Sequence, residues 1–416
     1  MNGERSMYEA VTAEGQKITW RDPKRYYWIL SGIIPFVPVL ILPLWGLTHW
    51  TPIWFFGPFF VFVIIPIMDL VLGLDPNNPP DEILELLEHD RFYRWVTYLF
   101  IPLQIAGFLW GCYLLGGGTL WTVTEPLTWV QKLGLATGMG MVAGIGINTA
   151  HELGHKKEKL ERWYARIALA QTAYGHFYIE HNRGHHVRVA TPPDPASSRL
   201  GESIYEFLPR TVIGSLKSAW ELEKKRLARK GQSPLGFHSD LMNAWIFTLI
   251  LWGLAIAVNA ALGLQTWQIL PYLVVQALIG ISLLEAVNYL EHYGMKRKML
   301  DSGRYERVNP SHSWNSNNIG TNILLYHLQR HSDHHANPTR RYQALRDFPE
   351  APVLPTGYAG MIVLAYATPL WRRVMDRKVV AHFDGDISQA NLHPRTAAKY
   401  LRKYPVPASS SQEVAA

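Results

Sequence analysis

An all-α integral membrane protein, with six transmembrane helices and a cytoplasmic helical cap, is the fold class this sequence predicts. Three observations predict it. The 416 residues are 48% hydrophobic and include 16 Trp, which is richer in apolar surface than an ordinary soluble chain. Six runs reach the length of about 20 apolar residues that crosses a ~30 Å hydrocarbon core. Lys and Arg are confined to particular intervening segments, as the positive-inside bias produces.

The runs lie near 26–49, 53–73, 95–116, 130–150, 241–261 and 267–290. The first and third carry aromatic residues at their ends, as interface-anchored spans do. The first follows the charged run RDPKR, lacks a small-residue cleavage site and is too long for a secretory h-region, so it reads as a retained span. No Lys or Arg occurs from Tyr26 to Asp90, from Trp95 to Gln131 or from Leu241 to Met295, and Lys132 is the lone cation at the candidate outer ends. The N-terminus and the basic segments 151–240 and 293–405 are therefore expected in the cytoplasm, with a flexible tail at 406–416. The whole chain, 1–416, reads as one membrane-embedded catalytic domain. Its formal charge of +7 is then largely a property of one face, available to anionic lipid or to an acidic protein.

A single cysteine, Cys112, excludes a disulfide framework and any Cys-ligated zinc, haem or iron–sulfur centre built by this chain alone. There is no internal repeat, no G-x-G-x-x-G and no P-loop, and nothing reads as nucleic-acid binding.

Seventeen histidines remain, and only His49 and His89 precede residue 150. Four groups stand out: His151-Glu-Leu-Gly-His155, His181-Asn-Arg-Gly-His185-His186, Glu291-His292-Tyr293-Gly294, and His331-Ser-Asp-His334-His335. Helical residues four apart share a face, so His151 with His155, His181 with His185, and His331 with His335 are each expected to reach one metal ion. His186 and His334 are rotated by about 100° from their neighbours and point at a second metal or a second face. Nine imidazoles exceed what one ion of four to six ligands can use, so two metals are expected. Small residues at Gly134/Gly138 and Gly140/Gly144 of the fourth span are expected to allow close helix packing.

The stretch HELGHK also satisfies H-E-x-x-H, the helical signature of a zinc protease, which needs two histidines, a third ligand and a glutamate base. Such a protease has no use for the other groups. Neutral imidazole suits iron, copper or zinc, so donor type alone leaves the metal open.

The motifs HELGHK, EHNRGHH, NYLEHYG and LQRHSDHH resemble, in order and spacing, those of the integral-membrane alkane 1-monooxygenases, within the histidine-rich membrane di-iron group that includes fatty-acid desaturases and hydroxylases. The connecting text NPSHSWNSNN and RDFPEAPVLPTGY is similar to that family too, so the resemblance covers nearly the whole chain. It implies two iron ions held by His151, His155, His181, His185, His186, His292, His331, His334 and His335. It implies that dioxygen and two electrons insert one oxygen atom into the terminal C–H bond of an alkane drawn from the bilayer. Electrons would come from rubredoxin, itself reduced by a rubredoxin reductase, at a bacterial-type inner membrane with both termini cytoplasmic. A tube within a ~30 Å core holds a chain of roughly a dozen carbons, which favours medium-chain n-alkanes. Fatty-acyl desaturation or hydroxylation is the alternative within the same group; the zinc protease and a metal transporter are more remote.

Glu152, Glu180, Glu291 and Asp333 each adjoin one of these histidines, and some are expected to accept a ring N–H and support the site. Asp194, Asn288 and Asn317 are further candidates. Asp69 and Glu285 lie in or near apolar spans, where an acid is costly, and Glu285 is expected to support the site. His327 precedes His331 by one turn and offers a tenth ligand, but packing or support is the expectation for His176, His312 and His327. Arg183, Arg188, Arg330, Arg340 and Arg341 are candidates for docking the acidic donor or for contacting lipid phosphate.

Overall fold

The computed structural model describes residues 7–405 and residue 407. Six of its helices are long and apolar enough to cross a membrane: Ile29–Thr48, Thr51–Leu72, Arg91–Leu115, Trp129–Gly154, Asp240–Ala261 and Trp267–His292. These are the expected spans with their ends moved by a few residues. The third starts early because Asp90 caps it, accepting the Phe92 N–H at 2.8 Å. The fourth runs on through Gly154, so its last turn carries His151. All but Pro407 of the tail expected at 406–416 lies outside the described residues.

Proline makes the first two spans irregular. The first tightens to a 3₁₀ segment at Ile34–Leu40, where Pro35 and Pro38 remove amide donors. The second opens into a π turn at Phe60–Ile64, which takes up the ring of Pro66 in the following turn.

The fourth span is the axis of the bundle: 83% of its apolar window is buried, against 22% for the second, which faces lipid. It opens with a capping box in which Thr128 and Gln131 bond each other's backbone N–H. Its glycines admit the neighbours. A Cβ at Gly134 would meet the Trp54 backbone at 2.8 Å, at Gly140 the side chain of Ile279 at 2.7 Å, and at Gly144 Leu283 at 2.8 Å. The second and sixth spans therefore pack directly on its backbone.

Two features depart from the sequence expectation. An antiparallel hairpin, Tyr8–Val11 with Lys17–Trp20, is the strand pair in a chain read as all-helical. It is fastened to the start of the third span by the Tyr8 hydroxyl, which donates to Asp90 at 2.6 Å. Within the segment expected to lie wholly in the cytoplasm, the apolar helix Tyr358–Tyr366 sinks among the spans, with Ile362 facing the same cavity as Leu283 and Leu284. At nine residues it is too short to be read as a span.

Candidate metal centre

The four histidine groups converge at one end of the bundle, and the fold sorts them into two sets. His151, His155, His181, His186 and His334 form one; His185, His292, His331 and His335 form the other. Within each set the ligand nitrogens all lie within 4.8 Å of one another. The sets adjoin, with the rings of His186 and His335 4.4 Å apart.

Backbone geometry explains the sorting. His151 and His155, at the end of the fourth span, share a face four residues apart, as expected. His331 and His335 do the same on the short helix His331–Ala336, and His334 points to the other set. The pairing expected of His181 with His185 is not found. Residues His181–His185 form a π turn, whose wider repeat brings residues five apart together, so His181 meets His186 at 3.0 Å between Nε2 atoms. His185 is left facing His292 and His335.

The donor set fits metal ions. Ligands about 2.1 Å from one ion stand about 3.0–3.4 Å apart at right-angled to tetrahedral spacing. The inward Nε2 pairs fall within or just under this range: His186–His334 at 3.1 Å and His292–His331 at 3.4 Å, His151–His334 and His331–His335 at 2.8 Å. The Nε2 atoms of His155 and His185 are buried with no hydrogen-bond partner. Burial, reinforced by neighbouring imidazoles, holds His155, His181, His186, His331, His334 and His335 well below the ordinary histidine pKa. Each is thus neutral, the form that donates a lone pair.

The sequence model of the fatty acid desaturase family matches residues 126–365, which contain all nine histidines. An alkane 1-monooxygenase of Pseudomonas putida is 42% identical over 97% of this chain and 96% of its own length. An alkane 1-monooxygenase of Acinetobacter baylyi is 44% identical over 95% of each. The hydroxylase component of a xylene/toluene monooxygenase from Pseudomonas putida is 27% identical over 79% of the chain and 85% of its own length.

The chain belongs to the alkane 1-monooxygenase family.

It is accordingly an oxidoreductase and a multi-pass membrane protein. In this family member the carboxylates beside the histidines divide in a way that sequence adjacency did not show. Glu152 pairs with Lys156 at 2.9 Å and accepts the Tyr342 N–H. Asp333 is clamped by Arg340, with both oxygens within 2.8 Å, and by Asn337. Glu180 accepts from Arg188 at 2.6 Å, and burial pushes its carboxyl up to about 7. None of these three has a hydrogen bond to an imidazole. Glu291 does approach one: Oε2 lies 3.2 Å from His331 Nε2, on the inward side of the ring. Asp194 is the acid that holds an outer ring nitrogen, 2.9 Å from His185 Nδ1, and is itself fixed by the Ser197 hydroxyl at 2.6 Å.

Glu285 accepts from the Tyr174 hydroxyl, the Thr211 hydroxyl and Asn288, at 2.7, 2.8 and 3.1 Å. Asp69 accepts from Thr321 N–H and hydroxyl at 2.7 and 2.6 Å, tying the second span to the helix Ile319–Leu324. Asn317 bonds Asp347 and the Asp75 carbonyl. His176 stacks edge-on against Tyr174, His312 sits 3.2 Å from Glu306, and His327 lies between Lys24 and the Tyr342 carbonyl. All three are outside both sets.

The five candidate docking arginines are committed internally: Arg183 to Glu223 and Asp240, Arg188 to Glu180, Arg330 to Asp75, Arg340 to Asp333, and Arg341 to Glu158 and Glu161. Arg183 and Arg188 keep about a third of their side chains exposed beside these partners, whereas Arg330 is fully buried.

An apolar cavity opens beside the histidines, between the second, fourth and sixth spans and the sunken helix Tyr358–Tyr366. Val61, Ile65, Ile145, Leu283, Val287 and Ile362 are among its walls, and Asn148, Thr321 and Tyr358 are the polar residues on it. Three of its lining residues adjoin the site along the chain or across it: Asn148 precedes His151 by one turn, Leu328 precedes His331, and Tyr358 faces Glu291. Sequence reading missed Tyr358, which lies in an apolar run far from any histidine.

Proposed function

We propose that this protein hydroxylates the terminal carbon of medium-chain n-alkanes to primary alcohols, using dioxygen and two electrons delivered by rubredoxin, which a rubredoxin reductase recharges. The nine histidines would hold two iron ions, five on one and four on the other. The observation that carries this reading is the small apolar cavity whose wall residues Asn148 and Leu328 stand three residues before His151 and His331, members of the two histidine sets. The alkane monooxygenase relatives supply the reaction class.

Iron held by these histidines would supply activation of dioxygen. The chain's own residues supply position. Val61, Ile65, Leu283 and Ile362 offer nothing that hydrogen-bonds, so a hydrocarbon displaces water from between them at no polar cost. A terminal C–H bond is stronger than the internal ones. Selectivity for it therefore comes from walls that admit the chain end-on and bring only the methyl group to the metal side. Asp194 fixes the tautomer and plane of His185 through Nδ1, leaving Nε2 to bind. The basic segments around the site favour the cytoplasmic side, where a soluble acidic donor can approach.

Incubating purified, iron-loaded protein with octane or with acyl thioesters, plus rubredoxin and its reductase, tests the reading. 1-Octanol is the expected product. Turnover of the thioester alone would replace this reading with acyl desaturation or hydroxylation.

A further inference from the structure

Away from the histidines, a cavity of about 520 Å³ lies between the helices Thr368–His382 and Ala397–Lys403. Arg372, Arg373, Arg377, Lys399 and Lys403 line it, with Asp376 as the lone carboxylate. None of the five cations forms an ion pair among the described residues; Arg372 donates to the Gly201 carbonyl and Lys403 lies over the Tyr404 ring. Asp376 does little to offset them. Its oxygens accept from the Tyr293 and Tyr400 hydroxyls at 2.8 and 2.7 Å, and burial raises its pKa. Five cations without a carboxylate partner among the described residues contrast with the arginines around the metal site, each of which has its own.

The depth of this pocket is fixed by aromatic contacts. The Trp371 ring lies 5.1 Å from that of Tyr289 and 5.2 Å from that of Tyr293. Tyr289 is in the last turn of the sixth span and Tyr293 is the residue after its end. The arginines that follow Trp371 are therefore held beside the end of the sixth span, where its apolar run stops. On the membrane side of them, the exposed side chains of Val363 and Leu370 continue an apolar surface up from the sunken helix. Leu370, Arg373 and Arg377 share one helical face, so the surface passes from apolar to cationic along it. A soluble partner would meet the cations without using Val363 and Leu370. A lipid uses both.

We propose that this pocket binds the phosphodiester headgroup of an anionic phospholipid, whose acyl chains lie along Leu370 and Val363. Cations gathered at the interface attract anionic lipid additively. The lipid would brace the Thr368–His382 helix, which carries Trp371 and Asp376 against the end of the His292-bearing span.

Native mass spectrometry of the full detergent-solubilised chain, titrated with phosphatidylglycerol, phosphatidylcholine and soluble glycerol 3-phosphate, tests this. Phosphatidylglycerol should bind roughly tenfold or more tightly than phosphatidylcholine. The Arg373→Gln/Lys399→Gln/Lys403→Gln variant should lose that preference while keeping its metal content and unfolding midpoint in neutral detergent. If the triple variant does not fold, the exposed single change Arg373→Gln should still lower the preference by about fivefold. Equal binding of the two lipids, or unchanged preference in the variant, overturns the proposal. Equal binding of glycerol 3-phosphate would mean an anion site with no lipid tail. A variant altered only in KM for a reduced acidic donor protein would mean a protein docking surface; either result also overturns it.

Discussion

His186 Nε2 lies 3.0 Å from His181 Nε2, five residues earlier, while His185, four residues on from His181, faces the opposite histidine set. The π turn at His181–His185 makes this so, and it carries a consequence for metal content. Deleting Gly184 keeps all nine histidines but removes the extra residue of the turn. Hydroxylation should then fall by at least about a hundredfold, the scale of displaced reacting groups, and bound metal should fall with it. Metal analysis beside an octane assay checks this; full metal content in the deletion variant would show that the π turn is irrelevant.

Among the described residues, Asp194 is the carboxylate seated on an outer ring nitrogen of a histidine in the two sets. Asp194→Ala should weaken metal binding about 10–100-fold, whereas Asp194→Asn, which keeps an acceptor oxygen, should lose less. Chelator-competition titrations would separate the two. Glu152→Gln is the control, because Glu152 bonds Lys156 and Tyr342 rather than a histidine.

Arg330 is wholly buried and ties the residue before His331 to Asp75, to Asn317 and to the Leu345 carbonyl. Just upstream, Tyr326 and His327 are successive non-glycine residues with φ of 54° and 53°, a strained turn that this network holds shut. Arg330→Ala leaves Asp75 short of a partner and should cost about 3–5 kcal/mol, read as a lower unfolding midpoint. Burial works against the charge on Asp75, but His327, Lys24 and Arg330 outweigh it and hold the carboxyl below its ordinary value. A depressed carboxylate adds stability that is present above about pH 4 and is lost as pH falls through the folded-state pKa. The Asp75→Asn variant should therefore be less stable at neutral pH and show a shallower loss on acidification than the parent.

Ala359 lines the apolar cavity from the sunken helix. Ala359→Phe should shorten the space for substrate, so that kcat/KM falls for the longest accepted alkanes while shorter ones are retained. Each methylene excluded is worth about 10-fold or more in discrimination. Product profiles across an alkane ladder give the answer; a uniform decline across all lengths would place the substrate elsewhere.

Much of this architecture was legible in the sequence because lipid imposes a simple rule: runs such as Trp129–Gly154 must be apolar and about 20 residues long, and their boundaries fall where charge begins. The histidines were legible because i,i+4 spacing is visible in text. What stayed hidden depends on tertiary geometry. Nothing in HNRGHH announces a π turn, so the partition of His181 and His185 was misread. Chain adjacency was a poor guide to hydrogen bonding: Glu152, Glu180 and Asp333 found basic partners, while Asp194 reached His185 across the turn that follows the helix. Lys24 and Asp75 are unremarkable in sequence and meet only because the N-terminal segment folds under the His331 loop. The carboxylates that lie behind Arg183, Arg188, Arg330, Arg340 and Arg341 were likewise invisible in the text.

Metal stoichiometry measured together with ligand substitution tests the central claim most directly. Two irons per chain are predicted for the intact protein, with His186→Ala and His335→Ala, one from each histidine set, each lowering the content toward one and abolishing 1-octanol formation. A single zinc per chain, with octane turnover surviving both substitutions, would contradict it.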